Sequence, residues 1–201
     1  MSSTPVQSPR GDRRRTALLT ALHEHLEEGN HLDSINIADI SRRAGVTRSA
    51  FYFYFENKAM AVAALMEEMY AESAAAAGLL AGDGTPRANI EAMIRALFGS
   101  WDRHENLYRA MLEARATSPA VRDMWESDRA SFVPHLASII TAERDAGRAP
   151  AGTDSAALAS VLLELNDRML ERLALGGELG REQLVDTVVH IWLSAIYGSA
   201  S

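Results

Sequence analysis

The 201-residue chain contains no cysteine, which excludes disulfides and thiolate metal sites and is compatible with a reducing compartment. No apolar run approaches the roughly 20 residues that a membrane span requires. The N-terminal stretch MSSTPVQSPRGDRRR is polar and lacks the apolar core of a secretion signal. A cytoplasmic protein with no membrane partner is therefore expected. No segment shows sustained alternation with β-branched residues, so nothing calls for a sheet. Catalytic signatures are missing too: there is no Gly-x-Ser-x-Gly, no phosphate loop and no His-Glu-x-x-His. His23 and His25 lie two apart on a helical stretch and cannot face one metal. His135 and His190 are lone histidines among apolar neighbours. Neither cofactor nor metal is expected.

Lysine is almost absent, with Lys58 the one example beside nineteen arginines, and the net charge of −7 at first argues against nucleic acid. Its distribution argues otherwise. Residues 1–58 hold eight Arg or Lys against seven Asp or Glu, whereas the other 143 hold 12 against 20. The basic groups of the first stretch cluster at Arg10 and Arg13–Arg15, and again at Arg42, Arg43, Arg48 and Lys58. An acidic body with a locally basic head suits a protein that touches DNA at one end.

Residues 1–11 carry two prolines, a glycine and no periodicity, and are expected to form a disordered arm. From Asp12 to Glu28, Ala17, Leu18, Ala21, Leu22 and Leu26 recur at helical spacing, and Gly29-Asn30 ends the helix. In the stretch IADISRRAGVTRSAFYFYFENK, residues 37–58, Asn36 is placed to cap a short helix with Asp39 as a capping-box-like partner. Ile37, Ile40 and Ala44 fall on one face, Gly45 suits a left-handed turn, and Val46 is placed to pack inward. Thr47 then caps a second helix. Its first turn exposes Arg48 and Ser49, and Ala50, Phe51 and Phe55 face a core while Tyr52, Tyr54 and Lys58 face out. An apolar back with polar groups near the N-terminus is what a recognition helix in a helix-turn-helix needs. Asn57 caps a longer helix to about Leu80. Gly82-Asp83-Gly84-Thr85-Pro86 is the clearest break. Further helices are expected at about 86–103, 105–116, 119–146, 154–176 and 180–197, with Pro134 kinking the third of these. The fold class expected is all-α, about nine helices: the arm (1–11), a helix-turn-helix domain (12–58) and a ligand-binding and dimerisation body (59–201).

The order Ala44-Gly45-Val46, Thr47, Phe51-Tyr52-Phe53-Tyr54-Phe55 and Lys58 resembles the DNA-binding head of the TetR family of bacterial repressors. Ala114-Arg115-Ala116-Thr117-Ser118, Ala142-Glu143-Arg144-Asp145 with Gly147 and Ala149-Pro150, and His190-Ile191-Trp192 with Ile196-Tyr197-Gly198 are similar to the ethionamide-resistance type within it. The resemblance implies a homodimer bound to a double-stranded DNA operator. On that reading Thr47, Arg48, Ser49 and Tyr52 serve base edges and nearby contacts. Tyr54, Lys58, Arg42 and Arg43 serve phosphates, and Arg13, Arg14 and Arg15 reach the backbone or minor groove.

In the body, Met93, Leu97 and Trp101 form one stripe at helical spacing, and Trp125, Phe132 and Leu136 form a second. Asn166, Met169 and Leu170 lie on a third helix and Trp192 on the last. These residues suit either a plain core or an apolar cavity with a few inward polar groups. The resemblance favours the cavity: it places pocket aromatics on Trp101, Trp125 and Phe132, a polar ligand-bonding position on Asn166, and a further match at Trp192. Leu163 and Arg129 depart from the pattern, so a smaller or more polar effector is implied. Leu158, Val161, Leu162 and Leu165, with Leu184, Val188, Ile191 and Ala195, form two stripes that either cover the core within one chain or, the favoured reading, build a four-helix bundle across a two-fold axis. The reading is a TetR-type repressor released from a palindromic operator by a small hydrophobic effector, with the 57–80 helix carrying the signal. Two rivals stand beside it: a small-molecule binding or sequestering protein, and a small helical enzyme using Asp167, His135 or Glu164.

Overall fold

A computed structural model describes residues 9–198. Of the arm, residues 1–8 lie outside the described residues, and residues 9–11 are already helical. The first helix, α1 (Pro9–Glu27), starts three residues earlier than the periodicity suggests, since proline's fixed φ suits a first helical turn. A 3-10 turn, Leu32–Ser34, leads to α2 (Ile37–Arg43), α3 (Arg48–Tyr54) and α4 (Lys58–Leu65). Then come α5 (Glu67–Gly78), a second 3-10 turn at Leu79–Ala81, α6 (Pro86–Arg103) and α7 (Glu105–Thr117). The chain continues through α8 (Pro119–Ser131), α9 (Val133–Asp145), α10 (Ser155–Ala174) and α11 (Arg181–Tyr197). No strand occurs among the described residues.

Two of the nine expected helices are divided. The 57–80 run is interrupted at Met66, whose N–H is shared between the carbonyls of Val62 and Ala63, a local tightening that ends the α-helical ladder. The 119–146 run is interrupted at Phe132 rather than kinked: Pro134 has no N–H to continue the ladder and sits instead in the first turn of α9. Other ends follow the sequence. Thr85 accepts from the Ala88 N–H at 3.3 Å beside Pro86, and Asp154 accepts from the Ala157 N–H at 2.8 Å.

The described residues divide into two compact units: one runs through Glu67 and includes Asn106–Arg122, the other comprises Glu68–Glu105 and Asp123 onward. The first therefore holds most of α7 together with α1 to α4. In it α1 packs against α2, α3 and α4. Leu18, Leu22 and Leu26 are buried, as are Ile40 and Phe51, and each such side chain contributes about 1.5–3 kcal/mol relative to exposure. In the second unit α6 packs on α11, and α10 on both α9 and α11. Arg95 bonds Glu182 at 2.9 Å across the α6–α11 contact, and Arg181 meets Asp102 at 2.9 Å.

Candidate nucleic-acid interface and ligand-binding body

The helix-turn-helix is built by local rules. Gly45 has φ +67, a conformation strained for any residue with a Cβ. Around it the Val46 N–H reaches the Ser41 carbonyl at 2.9 Å and the Gly45 N–H reaches Arg42 at 3.2 Å, which closes α2 in a Schellman motif. Thr47 then caps α3, its hydroxyl accepting from the Ala50 N–H at 3.2 Å. Asn36 occupies the cap position of α2 as expected, but its side chain makes no cap bond. Asp39 pairs with Arg42 at 2.6 Å instead, so the capping-box reading does not hold.

The faces of α3 divide as expected except at Ala50, placed toward the core, and Tyr54, placed outward. Phe51 and Phe55 are buried against the head core, Ala50 and Tyr54 are half-buried, and Thr47, Arg48, Ser49, Tyr52 and Phe53 are exposed. Tyr54 packs edge-on against Phe53, ring centroids 4.9 Å apart. Arg42 is exposed and paired with Asp39 on its own helix. Arg43 is held back on α1 by Glu28 at 2.8 Å, and Glu28 is pushed below the ordinary carboxylate range chiefly by that hydrogen bond. Arg13 and Arg14 are exposed on α1.

Two expected DNA contacts are otherwise engaged. The Lys58 ammonium donates to the carbonyls of Leu32 at 2.6 Å, Ile35 at 2.7 Å and Asp33 at 3.2 Å. Its three donors are used on the loop that precedes α2, and none is left for a phosphate in this conformation. Arg15 is half-buried with its guanidinium over the Phe55 ring, 5.6 Å from the centroid, and so acts as a brace behind α3. Nothing in the sequence announces either role, since both depend on residues brought near by folding.

In the second unit, Trp192 is fully buried and its indole N–H donates to the Asn166 side-chain oxygen at 3.1 Å, which joins α11 to α10. Trp125 is buried and donates to Asp167 at 3.0 Å, and Arg129 also donates to Asp167, at 3.3 Å, and to Glu126. Met93 and Trp101 are buried, whereas Leu97, Phe132 and Met169 are half-buried. The Asn166 amide nitrogen and the Trp101 indole N–H are buried with no acceptor among the described residues. A cleft of about 410 Å³ is lined by Leu80, Asn89, Leu136, Ile139, Glu143 and Arg148, of which Leu136 alone lies on a stripe expected to border a cavity. Of the residues that an enzyme would need, Asp167 is committed to Trp125 and Arg129, and His135 and Glu164 are exposed.

The stripes chosen for a dimer face are mixed. Leu162, Leu184 and Val188 are buried within the chain, so they cannot face a partner; Val161, Ile191 and Ala195 are exposed, and Leu158 and Leu165 half-buried. The helical pattern identified apolar stripes without saying which of their edges the chain itself covers.

Residues 21–65 match the family described as bacterial regulatory proteins, tetR family, and residues 90–198 match the transcriptional regulator EthR, C-terminal domain. The HTH-type transcriptional regulator EthR of Mycobacterium tuberculosis is 34% identical over 195 residues, 94% of this chain and 90% of that protein. Among solved structures, a TetR-family transcriptional regulator from Syntrophomonas wolfei superposes with a TM-score of 0.70 at 16% identity, covering 92% of this chain and 96% of that one. SmeT in complex with triclosan gives 0.63 at 21% identity, with 89% and 90% covered. These regulators are not enzymes. A helix-turn-helix with its reading face bare, followed by a helical body of matching type, identifies the chain as a member of the TetR family of transcriptional regulators, with a C-terminal domain of the EthR type.

Proposed function

We propose that this regulator is a repressor that binds an inverted-repeat operator as a two-fold dimer and is released by a small, largely apolar effector. The observation that carries the DNA side is the bare face of α3, where Arg48, Ser49 and Tyr52 stand exposed on a helix locked by the Gly45 turn and the Thr47 cap. Thr47, Arg48, Ser49 and Tyr52 serve base edges and nearby groups, while Arg42, Arg13 and Arg14, with Tyr54 at the helix end, serve phosphates. Arg43 reaches a phosphate only by leaving Glu28. The dimer face comprises the exposed Val161 and Ile191 with the flanking Leu158 and Leu165. The protein works where the chromosome is, in the cytoplasm.

Support for the effector is chemical. The N–H donors of Asn166 on α10 and Trp101 on α6 are buried with no acceptor among the described residues, and the Asn166 oxygen is bonded by the buried Trp192. Buried donors left unpaired are costly, and a ligand carbonyl or ether would satisfy them. SmeT, of the same fold, binds triclosan. Near-complete release requires roughly 5 kcal/mol of differential affinity between the DNA-binding and released states.

The test is operator selection from random-sequence DNA with the full-length protein, followed by binding measured against salt. Tight binding whose logarithm falls steeply with log salt is expected. Arg48→Ala should lower affinity and change which bases are tolerated. A protein that binds apolar ligands and selects no DNA would be a sequestering protein, and the repressor reading would fall.

A further inference from the structure

Phe53 is the most exposed of the large apolar side chains described, at 79%, and neither the core nor an ion pair accounts for it. Isolated exposed apolar residues are ordinary on protein surfaces, but this one stands on the exposed face of α3. Residues four apart share a helix face, so Arg48 is followed by Tyr52 and Ser49 by Phe53 in two parallel rows. Phe53 therefore extends the row that Ser49 begins. Tyr54, itself half-buried, meets its ring edge-on at 4.9 Å with the planes at 86°. Arg48 is exposed at the start of the same helix with no acidic residue in that first turn, Arg42 is paired with Asp39, and Glu56 is exposed three residues beyond Phe53.

A phenyl ring has no hydrogen-bonding atom, so it cannot read the donor and acceptor pattern of a base edge. The apolar group that a major groove offers is the C5-methyl of thymine. We propose that Phe53 is a specificity-determining residue that contacts the methyl group of one thymine in each operator half-site, with Tyr54 as the brace that holds the ring. The proposal rests on the DNA-binding reading above. It adds a base-reading contact beyond Arg48, Ser49 and Tyr52.

The experiment uses the full-length protein and an operator selected from random DNA, with each thymine replaced in turn by deoxyuridine, which removes the methyl alone. For the wild type, one symmetry-related thymine position should lose about fourfold in affinity, the worth of one methyl-sized apolar group. Phe53→Ala should bind the thymine operator about fourfold more weakly and be indifferent to deoxyuridine at that position. Phe53→Leu, apolar but smaller, should keep part of the response. Both variants should fold normally, since the side chain is exposed, and circular dichroism checks this. The proposal is overturned if Phe53→Ala and wild type share one deoxyuridine profile, or if the selected half-sites lack thymine. Equal weakening toward all DNA would also overturn it, because it would place the ring against the sugar-phosphate backbone. Failure to select any DNA would instead refute the regulator reading beneath it.

Discussion

Replacing Lys58 by methionine keeps the apolar stem and removes the ammonium that ties the start of α4 to the loop before α2. Of the three carbonyls it bonds, those of Leu32 and Ile35, at 2.6 and 2.7 Å, are in part-buried contacts; that of Asp33, at 3.2 Å, is exposed. A hydrogen bond from a charged donor contributes about 1.5–3 kcal/mol net. Taking the lower value for the two part-buried bonds and little for the exposed one gives a loss of about 3 kcal/mol. That is a large share of the roughly 5–15 kcal/mol by which a domain is stable. For a chain of this length such a loss lowers Tm by roughly 6–12 °C. Urea unfolding followed by circular dichroism reads the effect directly. A phosphate contact would behave differently: Lys58→Met would leave stability alone and flatten the slope of log affinity against log salt by about one. Unchanged stability with a flattened slope would refute the clasp and restore the role suggested by the sequence.

Asn166→Leu strands the buried Trp192 indole N–H and should cost about 1–3 kcal/mol in unfolding free energy, besides weakening any effector response; equal stability would show that the amide is not the partner of that indole. Val161→Arg places a charge on an exposed site and should give a folded monomer by sedimentation, whereas Val188→Arg buries a charge inside the chain and should lose several kcal/mol of stability. A folded monomer from Val188→Arg would reverse that assignment. Glu72 is held down at about 2, by the Ser100 hydroxyl first and then by Arg103 at 2.7 Å and His104 at 3.3 Å, although the hydroxyl itself stops short of a formal hydrogen bond. A carboxylate depressed in the fold stabilises it fully above its unfolded value near 4.5 and ceases to do so as pH falls through about 2. Acid unfolding of Glu72→Gln should therefore be less steep than that of wild type between those limits, and identical curves would remove Glu72 from the account.

The helix-turn-helix was legible because nearly everything that makes it is local. The Gly45 turn, the Thr47 cap and the burial of Phe51 and Phe55 follow from spacings of one to five residues, and the all-α architecture follows from the same periodicity. Where local rules compete, the sequence left more than one solution. Asp39 had two partners within reach, the head of α2 and Arg42, and the charge pair won. The breaks at Met66 and Phe132 likewise divide runs whose apolar spacing alone reads as continuous.

By itself, then, the sequence determined the fold class, the position of the recognition helix and the buried side of α3 at Phe51 and Phe55, since each depends on neighbours along the chain. Tertiary structure decided what the long-range groups do. Lys58 finds its acceptors 23 to 26 residues away, and Trp192 finds Asn166 at a separation of 26. Val188 and Ile191 lie on one stripe, yet one is sealed and the other exposed. Periodicity reports that a helix has an apolar side; which part of it is covered depends on where other helices pack, and no local spacing encodes that.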